Sequence, residues 1–409
     1  MITTINNKHK KLNVPNLRFP EFQGEWKEER MADIADLYKG TGISKDQLSD
    51  DGEPCILYGE LYTKYKSETI REVVSKTNID NTKLVRSKAN DVIIPCSGET
   101  AEDIATARCV LNDNILLGGD LNIIRLHGYD GAFMSYQLNG KRKYDIAKVA
   151  QGVSVVHLYG EHLKGVKTMN PCLEEQKKIA SLLALLDERI ATQNKIIDKL
   201  QSLIKGLNDS LYAQYGGKVL TSFAELGTSY SGLSGKSAQD FGSGKPFITY
   251  LNVYSNNVIN ENEFQYVAIK DDEKQNVAEY GDVLFTLSSE TPREVGIGSV
   301  YLGKEKVYLN SFCFGIHITN MEVAFPPYLS YYVSSTAFRK FIYPYAQGST
   351  RFNLCKADFE KASIKLPTLE NQKRIYSILS HIDNKIITER QMLDLYNSQK
   401  QYLLRQMFI

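Results

Sequence analysis

PCLEEQKKIASLLALLDERI (Pro171 to Ile190) and PTLENQKRIYSILSHIDNKI (Pro367 to Ile386) align without a gap, each residue 196 positions from its partner. Over the wider stretches 151–212 and 347–408, 17 of 62 paired positions are identical. The repeat continues upstream at a smaller offset. MADIADLYKG (Met31 to Gly40) matches FAELGTSYSG (Phe223 to Gly232), GEPCILYGELY (Gly52 to Tyr62) matches GKPFITYLNVY (Gly244 to Tyr254), and NDVIIPCSGET (Asn90 to Thr100) matches GDVLFTLSSET (Gly281 to Thr291). The whole chain therefore reads as two copies of one unit, with small insertions in loops accounting for the drift in offset.

The second part of each unit is a long helix. Pro171 and Pro367 suit a helix start, where the missing N–H costs nothing, and Glu174, Glu175 and Glu370 favour the positive end of the helix dipole. Apolar residues then recur at alternating spacings of four and three. The first copy runs Ile179, Leu183, Leu186, Ile190, then Gln193, then Ile197, Leu200, Ile204, Leu207 and Leu211. The second runs Ile375, Leu379, Ile382, Ile386, then Glu389, then Leu393, Tyr396, Lys400, Leu403 and Met407. This is a heptad seam on helices of roughly 60 Å, and a seam of that length must be buried. Each copy is the other's nearest partner, so an antiparallel pair with a pseudo-two-fold axis is expected, with Gln193 and Glu389 setting register.

The first part of each unit has another texture. DVIIP, NIIRLHG, KPFITYLNVY and SVYLGKEKVYL read as short strands separated by turn residues, whereas 328–346 and its counterpart near 133–149 read as helical. The expected fold class is α+β: two tandem mixed α/β domains, each followed by a long helix. The expected boundaries are 1–170, with an N-terminal arm over 1–25, then 171–213, 214–366 and 367–409.

Composition narrows the function. With 409 residues, 42% hydrophobic and 24% charged, the chain is an ordinary folded protein too long for one core. Residues 1–170 carry 23 basic and 23 acidic side chains, and residues 213–366 carry 14 and 15. Bulk charge thus gives no support to nucleic-acid binding; only local clusters such as Lys8, Lys10 and Lys11, Lys141–Lys143, and Arg339 with Lys340 could. The six cysteines lack CxxC spacing and read as small buried hydrophobes in a reducing compartment. Absence of a secretory signal and of any long apolar run gives a cytoplasmic expectation without membrane contact.

Catalytic signatures are missing. There is no GxxxxGK[ST] phosphate loop, no Pro-Asp dipeptide of a PD…ExK nuclease, and GIGSVYLG (Gly296 to Gly303) reads as strand and turn. FPPY (Phe325 to Tyr328) resembles the motif of amino-methyltransferases, but Phe325 cannot accept a hydrogen bond from an exocyclic amine, so it reads as a turn before a helix. His157 and His162 stand five apart with no metal or nucleophile constellation around them and read as satisfied histidines.

Three features together resemble a known family: a globular unit, then Q-G-[ST], then P-x-L-E-x-Q-K-[KR]-I opening a long helix, all repeated once. In the first copy Val153 separates the glycine from the serine. NVPNLRFPEFQGEW (Asn13 to Trp26) matches as well. Over nearly its full length the chain resembles the specificity subunit of type I DNA restriction-modification enzymes. The resemblance implies two target-recognition domains that read the halves of a bipartite double-stranded DNA sequence. It implies paired helices that set their spacing and dock two methyltransferase subunits, with motor-nuclease subunits in the full complex. It also implies a chain without catalytic residues or cofactors of its own, S-adenosylmethionine and ATP with magnesium belonging to the partners.

Candidate DNA contacts are polar residues that recur at the ends of the expected strands. They are Tyr58, Glu60 and Tyr62 against Tyr250, Asn252 and Tyr254; Ser97, Gly98, Glu99 and Thr100 against Ser288, Ser289, Glu290 and Thr291; and Gln151, Gly152 and Ser154 against Gln347, Gly348 and Thr350, with Arg351 beside them. Arg108, Arg293, Lys141, Arg142 and Lys143 are candidates for phosphate contact. Asn and Gln can bond adenine, Glu can accept from cytosine, and Arg can bond guanine or phosphate. The opposing reading makes the repeated residues structural turns, because domains that read different sequences should differ where they read. The alternative function is a coiled-coil scaffold carrying two ligand-binding modules with no DNA role. A stand-alone DNA-modifying enzyme is a third reading, disfavoured by the absent motifs.

Overall fold

The computed structural model describes residues 12–80, 82–152 and 155–409. The chain divides into two compact units. One comprises residues up to Asn194 together with Gln391–Ile409, and the other Lys195–Arg390. The division falls within both long helices, Leu173–Tyr215 and Leu369–Gln406, so each unit holds one domain and a half of each helix.

In unit one a five-stranded sheet has the order Ala35–Lys39, Leu121–Leu126, Asp91–Pro95, Arg108–Val110, Thr69–Ile70. All neighbours are antiparallel except the last pair. The DVIIP strand, Asp91–Pro95, is buried at all five positions because apolar clusters cover both faces of the sheet. A four-stranded sheet (Leu116–Leu117, Glu53–Ile56, Ser75–Thr77, Leu48–Ser49) lies beyond it in the topology. Lys27–Arg30 pairs antiparallel with Lys167–Asn170, which ties the start of the domain to the segment that leads into the first long helix.

Unit two repeats this plan. Gly227–Ser231, Cys313–Ile318, Val283–Thr286 and Gly298–Val300 form the central sheet, and Val219–Thr221 pairs with Ile364–Leu366 just before the second long helix. Its core is a phenylalanine cluster of Phe223, Phe285, Phe314, Phe338 and Phe359, with ring centroids 5.2–6.3 Å apart where they touch.

One expectation is corrected. KPFITYLNVY is not strand throughout: the strand Phe241–Ile248 ends, and Tyr250–Ser255 is helical. Thr249 caps that helix, its hydroxyl accepting from Asn252 N, and the local cap outweighs the strand preference of Ile, Tyr and Val. The matching stretch of unit one, Glu60–Thr63, is likewise one helical turn.

The helix halves run antiparallel within each unit. In unit one Ile179, Ala180 and Leu183 share a cluster with Leu404, Met407 and Phe408; in unit two Ile375 and Leu379 pack with Ile204, Leu207 and Leu211. Every seam position read from the sequence is buried or half-buried, including Leu186, Ile190, Ile197, Leu200, Ile382, Ile386, Leu393 and Leu403. The glutamine of P-x-L-E-x-Q is a staple. Gln176 Nε2 donates to Pro171 O and its Oε1 accepts from Asp130 N, at 2.9 Å each. Gln372 does the same between Pro367 O at 2.9 Å and Phe325 N at 2.8 Å. A buried amide fully used in this way fixes each helix start to its domain.

Candidate nucleic-acid interface

The Q-G motif of unit two opens a hairpin, Ala346–Gly348 with Phe352–Leu354, and the second strand also pairs with Ser288–Ser289. Gly348 has φ of +141°, and a Cβ there would overlap the Arg351 carbonyl, so only glycine fits. Thr350 and Arg351 stand exposed at the turn. Tyr250 Oη donates to Ser288 O at 2.8 Å, and Tyr254 Oη donates to Glu294 Oε1 at 2.8 Å. Thr291 Oγ1 and Ser289 Oγ donate to Glu294 Oε2 at 2.8 and 3.2 Å. These bonds hold the Glu294 carboxyl below its ordinary pKa, Thr291 contributing most, and the same carboxylate raises that of Tyr254. The Arg351 guanidinium lies 3.3 Å from Ser288 Oγ and 5.8 Å from the Phe312 ring centroid. Glu290 and Arg293 are exposed on the same loop as Glu294, and Gln347 is exposed on the hairpin. Among the candidates of this unit, one polar edge gathers Tyr250, Tyr254, Ser288, Ser289, Thr291, Gln347, Gly348 and Arg351.

Unit one has the corresponding edge. Ser97–Gly98 pairs with Val156–His157, and Gln151 and His157 exchange backbone hydrogen bonds of 2.8 and 2.6 Å. Gly152 has φ of +123°, and a Cβ there would overlap the Val155 carbonyl. Ser97 Oγ donates to Asp120 at 3.4 Å, and Thr100 caps the turn Ala101–Ile104 through Asp103 N. Burial raises the Tyr62 pKa, helped by Tyr58, Asp103 and Glu99 nearby. Exposed Glu99 completes the edge. Ser154 lies outside the described residues, as do Lys8, Lys10 and Lys11.

Three candidates are committed inside the protein and leave the interface. Glu60 is buried, its carboxylate accepting from Leu57 N at 3.0 Å, Lys64 at 2.7 Å and the Ser75 hydroxyl. Asn252 is fully buried, with Nδ2 on Asn260 O at 2.8 Å and Oδ1 receiving Asn260 N at 3.0 Å. Arg108 is 8% exposed and donates to the Tyr65 and Ala107 carbonyls at 3.0 Å, its pKa lowered by burial. Exposed Lys141 and half-buried Lys143 flank Arg142, which is engaged with Asp145 and the Ile409 carbonyl.

Sequence reasoning missed Glu294, the hub of the unit-two edge; its only signal was an acid three residues past the repeated SSET. It also set aside His157, which the strand pairing places opposite Ser97. His157, Tyr159 and His162 form an aromatic row with centroids 6.1 and 5.5 Å apart, and Tyr159 is 54% exposed. The long helices keep apolar side chains exposed off the seam: Leu185, Met392, Leu395 and Tyr402 in unit one, and Ile196, Leu203, Ile378 and Ile387 in unit two. Among the described residues no cluster of His, Cys, Asp and Glu is placed to hold a metal ion, and no helix is long and apolar enough to cross a membrane.

Comparison with known proteins agrees with this architecture. The profile of the family described as "Type I restriction modification DNA specificity domain" matches residues 23–202 and 228–395. The putative type I restriction enzyme MjaX specificity subunit of Methanocaldococcus jannaschii is 24% identical over 438 aligned positions, covering 93% of this chain and 92% of that protein. The MjaVIII specificity subunit of the same organism is 27% identical over 199 residues, 48% of this chain and 44% of that protein. The crystal structure of the type I restriction-modification S subunit from M. genitalium superposes with a TM-score of 0.57 at 15% identity, over 97% of this chain and 99% of that one.

Proposed function

From the premise that this chain belongs to the type I restriction-modification DNA specificity family, we propose that it is the non-catalytic subunit that selects the DNA target for partner methyltransferase subunits. The observation that carries the reading is the paired polar edge. Both domains build the same hairpin-and-strand rim, with a positive-φ glycine, Gly152 or Gly348, at the turn and different exposed residues around it. Each rim reads one half of a bipartite double-stranded site. Arg351, Thr350 and Gln347 serve the second half, and Glu99, Tyr62 and His157 serve the first. Arg351 and backbone N–H groups suit phosphate or guanine, while Gln347 suits adenine.

The long helices set the half-site spacing, a geometric quantity as in other two-headed DNA readers. Their exposed Leu, Ile, Met and Tyr side chains offer docking surfaces for two methyltransferase subunits, and motor-nuclease subunits join the complete assembly. S-adenosylmethionine, ATP and magnesium reside on those partners, and the assembly works in the cytoplasm. Near-neutral domains fit this division of labour, because a complex can draw phosphate affinity from partner surfaces while this chain supplies selection.

Methylation sequencing of a cell that expresses the chain with its methyltransferase tests the reading. Exchange of residues 15–150 for another reader should replace one half of the methylated motif and keep the other. An unchanged motif after the exchange, or purification of the chain as a scaffold without any methyltransferase, overturns it.

A further inference from the structure

Unit one closes around a small buried charge cluster. Lys400 Nζ lies 2.6 Å from Glu68 Oε2 and 2.7 Å from Asp187 Oδ1. The Lys400, Glu68 and Asp187 side chains are only 12%, 10% and 8% exposed. Asp187 Oδ2 also accepts from the Tyr136 hydroxyl at 2.7 Å and from Ser67 Oγ at 3.0 Å. Arg108 is the second cation felt by both acids, and the exposed Arg71–Glu188 pair, 3.2 Å apart, lies one residue along the helix from Asp187.

The internal repeat supplies a built-in comparison. Asp187 corresponds to Asp383 and Tyr136 to Tyr331, and unit two repeats the bond between the tyrosine hydroxyl and the aspartate. Lys400, however, corresponds to Ile204, which packs at the edge of the phenylalanine core. The next turn differs too. Leu404 and Phe408 enter the apolar cluster of Trp26 and Phe133, whereas their counterparts Asn208 and Tyr212 donate to the carbonyls of Tyr331 and Lys365, both at 2.8 Å. Asp209, the counterpart of Arg405, accepts from Thr336 N at 2.9 Å and Thr336 Oγ1 at 2.6 Å.

We propose that Lys400, with Leu404 and Phe408, is a pairing-specificity determinant. It makes Gln391–Ile409 the fitting partner of the first domain and excludes the chain's other long helix, from the same copy or from a second one. The apolar seams are alike and non-directional, so they cannot discriminate; polar positions can. Ile204 in the place of Lys400 would leave Glu68 and Asp187 buried without their ammonium partner. Asn208 in the place of Leu404 would bury an amide against Trp26 and Phe133 with no acceptor. In the reverse exchange, Lys400 would carry an ammonium into the phenylalanine edge of unit two. This inference does not depend on what the rims bind.

Hydrogen exchange of the full-length chain tests it, with unit two as internal control. At about pH 8, Lys400→Ile should speed exchange in 391–409 by at least roughly tenfold and leave 217–366 unchanged. The sign with pH follows from the chemistry. Without the ammonium, two carboxylates stay buried with one cation fewer, and adding protons removes that charge, so docking in the variant strengthens as pH falls and weakens as pH rises. Protection in the variant should therefore recover toward about pH 5. It should also recover at about pH 8 when Glu68→Gln and Asp187→Asn are added. A chain carrying Lys400→Ile, Leu404→Asn and Phe408→Tyr together should leave 391–409 unprotected at either pH. Parent-like protection in Lys400→Ile at high pH, a loss that neither acid nor the neutral side chains restore, or parent-like docking of the triple variant each overturns the proposal.

Discussion

Phe408→Ala is the sharpest test of unit one's architecture. Phe408 is 3% exposed, its ring stacked on Phe133 at 5.1 Å and 29° and set edge-on to Trp26 at 6.4 Å and 88°. Burying a phenylalanine removes about 150–250 Å² from water, worth roughly 4–6 kcal/mol as an upper bound at about 25 cal/mol/Å². Phenylalanine truncations in cores cost about 3–5 kcal/mol once cavity relaxation is included. Lys400, Leu404 and Met407 anchor the same segment, so part of the cavity can close, and about 3 kcal/mol is the expected loss for unit one. The assay is intrinsic. Trp26 is the sole tryptophan of the chain, 2% exposed, with Nε1 3.3 Å from Glu175 Oε1. Urea unfolding followed by tryptophan emission therefore reports unit one, and the variant should show a lower midpoint and a red-shifted native spectrum. A loss under about 1 kcal/mol with an unchanged spectrum would refute the reasoning, since surface substitutions move stability by no more than about 0.5 kcal/mol.

Three further outcomes are expected. Gly348→Ala should distort the hairpin and abolish recognition of one half-site while global unfolding changes little, and Gly152→Ala should do the same for the other half; methylation of a reporter plasmid reads both. Arg351→Ala in the reconstituted complex should reduce the slope of log K against log salt by about one unit if the guanidinium meets a phosphate, measured by fluorescence anisotropy. The Glu294 carboxyl is held below its ordinary pKa by hydrogen bonds from Thr291, Tyr254 and Ser289, so its ordering of the 288–294 loop is fully present above the unfolded value. That ordering is lost as pH falls through the lower folded one, and hydrogen exchange of the loop at falling pH, with Glu294→Gln as a flat control, checks the sign.

The duplication, the long helices and every seam residue were legible in the sequence, because a period of about 196 residues and a heptad alternation survive divergence. The DVIIP strand was legible because a strand covered on both faces is apolar over most of its length, here Val92–Ile94 and Pro95 after the ion-paired Asp91. The helices at Glu60–Thr63 and Tyr250–Ser255 were not; in the second, Tyr, Leu and Val give a strand signal that the Thr249 cap overrides, while the first follows Gly59 with no side-chain cap to mark it. Glu60, Asn252 and Arg108 misled for a related reason. Polarity marks a residue as needing partners, but only the fold shows whether those partners are internal. The divided units could not be read either: nothing in the heptads says that Lys400 belongs to the charge cluster of a domain some three hundred residues earlier in the chain.

The residues repeated between the two rims include a backbone frame, with exposed side chains around it. Gly152 and Gly348 recur because the left-handed turn demands glycine in both copies, and Ser97 and Ser288 hold the same paired strand position. Residues beside this frame diverge. At matching positions unit one shows Val155, His157 and Tyr159 where unit two shows Arg351, Asn353 and Cys355. The register pairs His157 with Ser97 and Gln151, and Asn353 with Ser288 and Gln347, so the divergent side chains share a face with their partners and vary over an unchanged backbone pairing. That freedom lets two copies of one scaffold carry different chemistry at their rims. It also turns the search for base contacts around. In a duplicated reader, an identity at a left-handed turn points to backbone geometry, and exposed disagreement beside it, Arg351 against Val155 above all, is where the two halves of a target can be told apart.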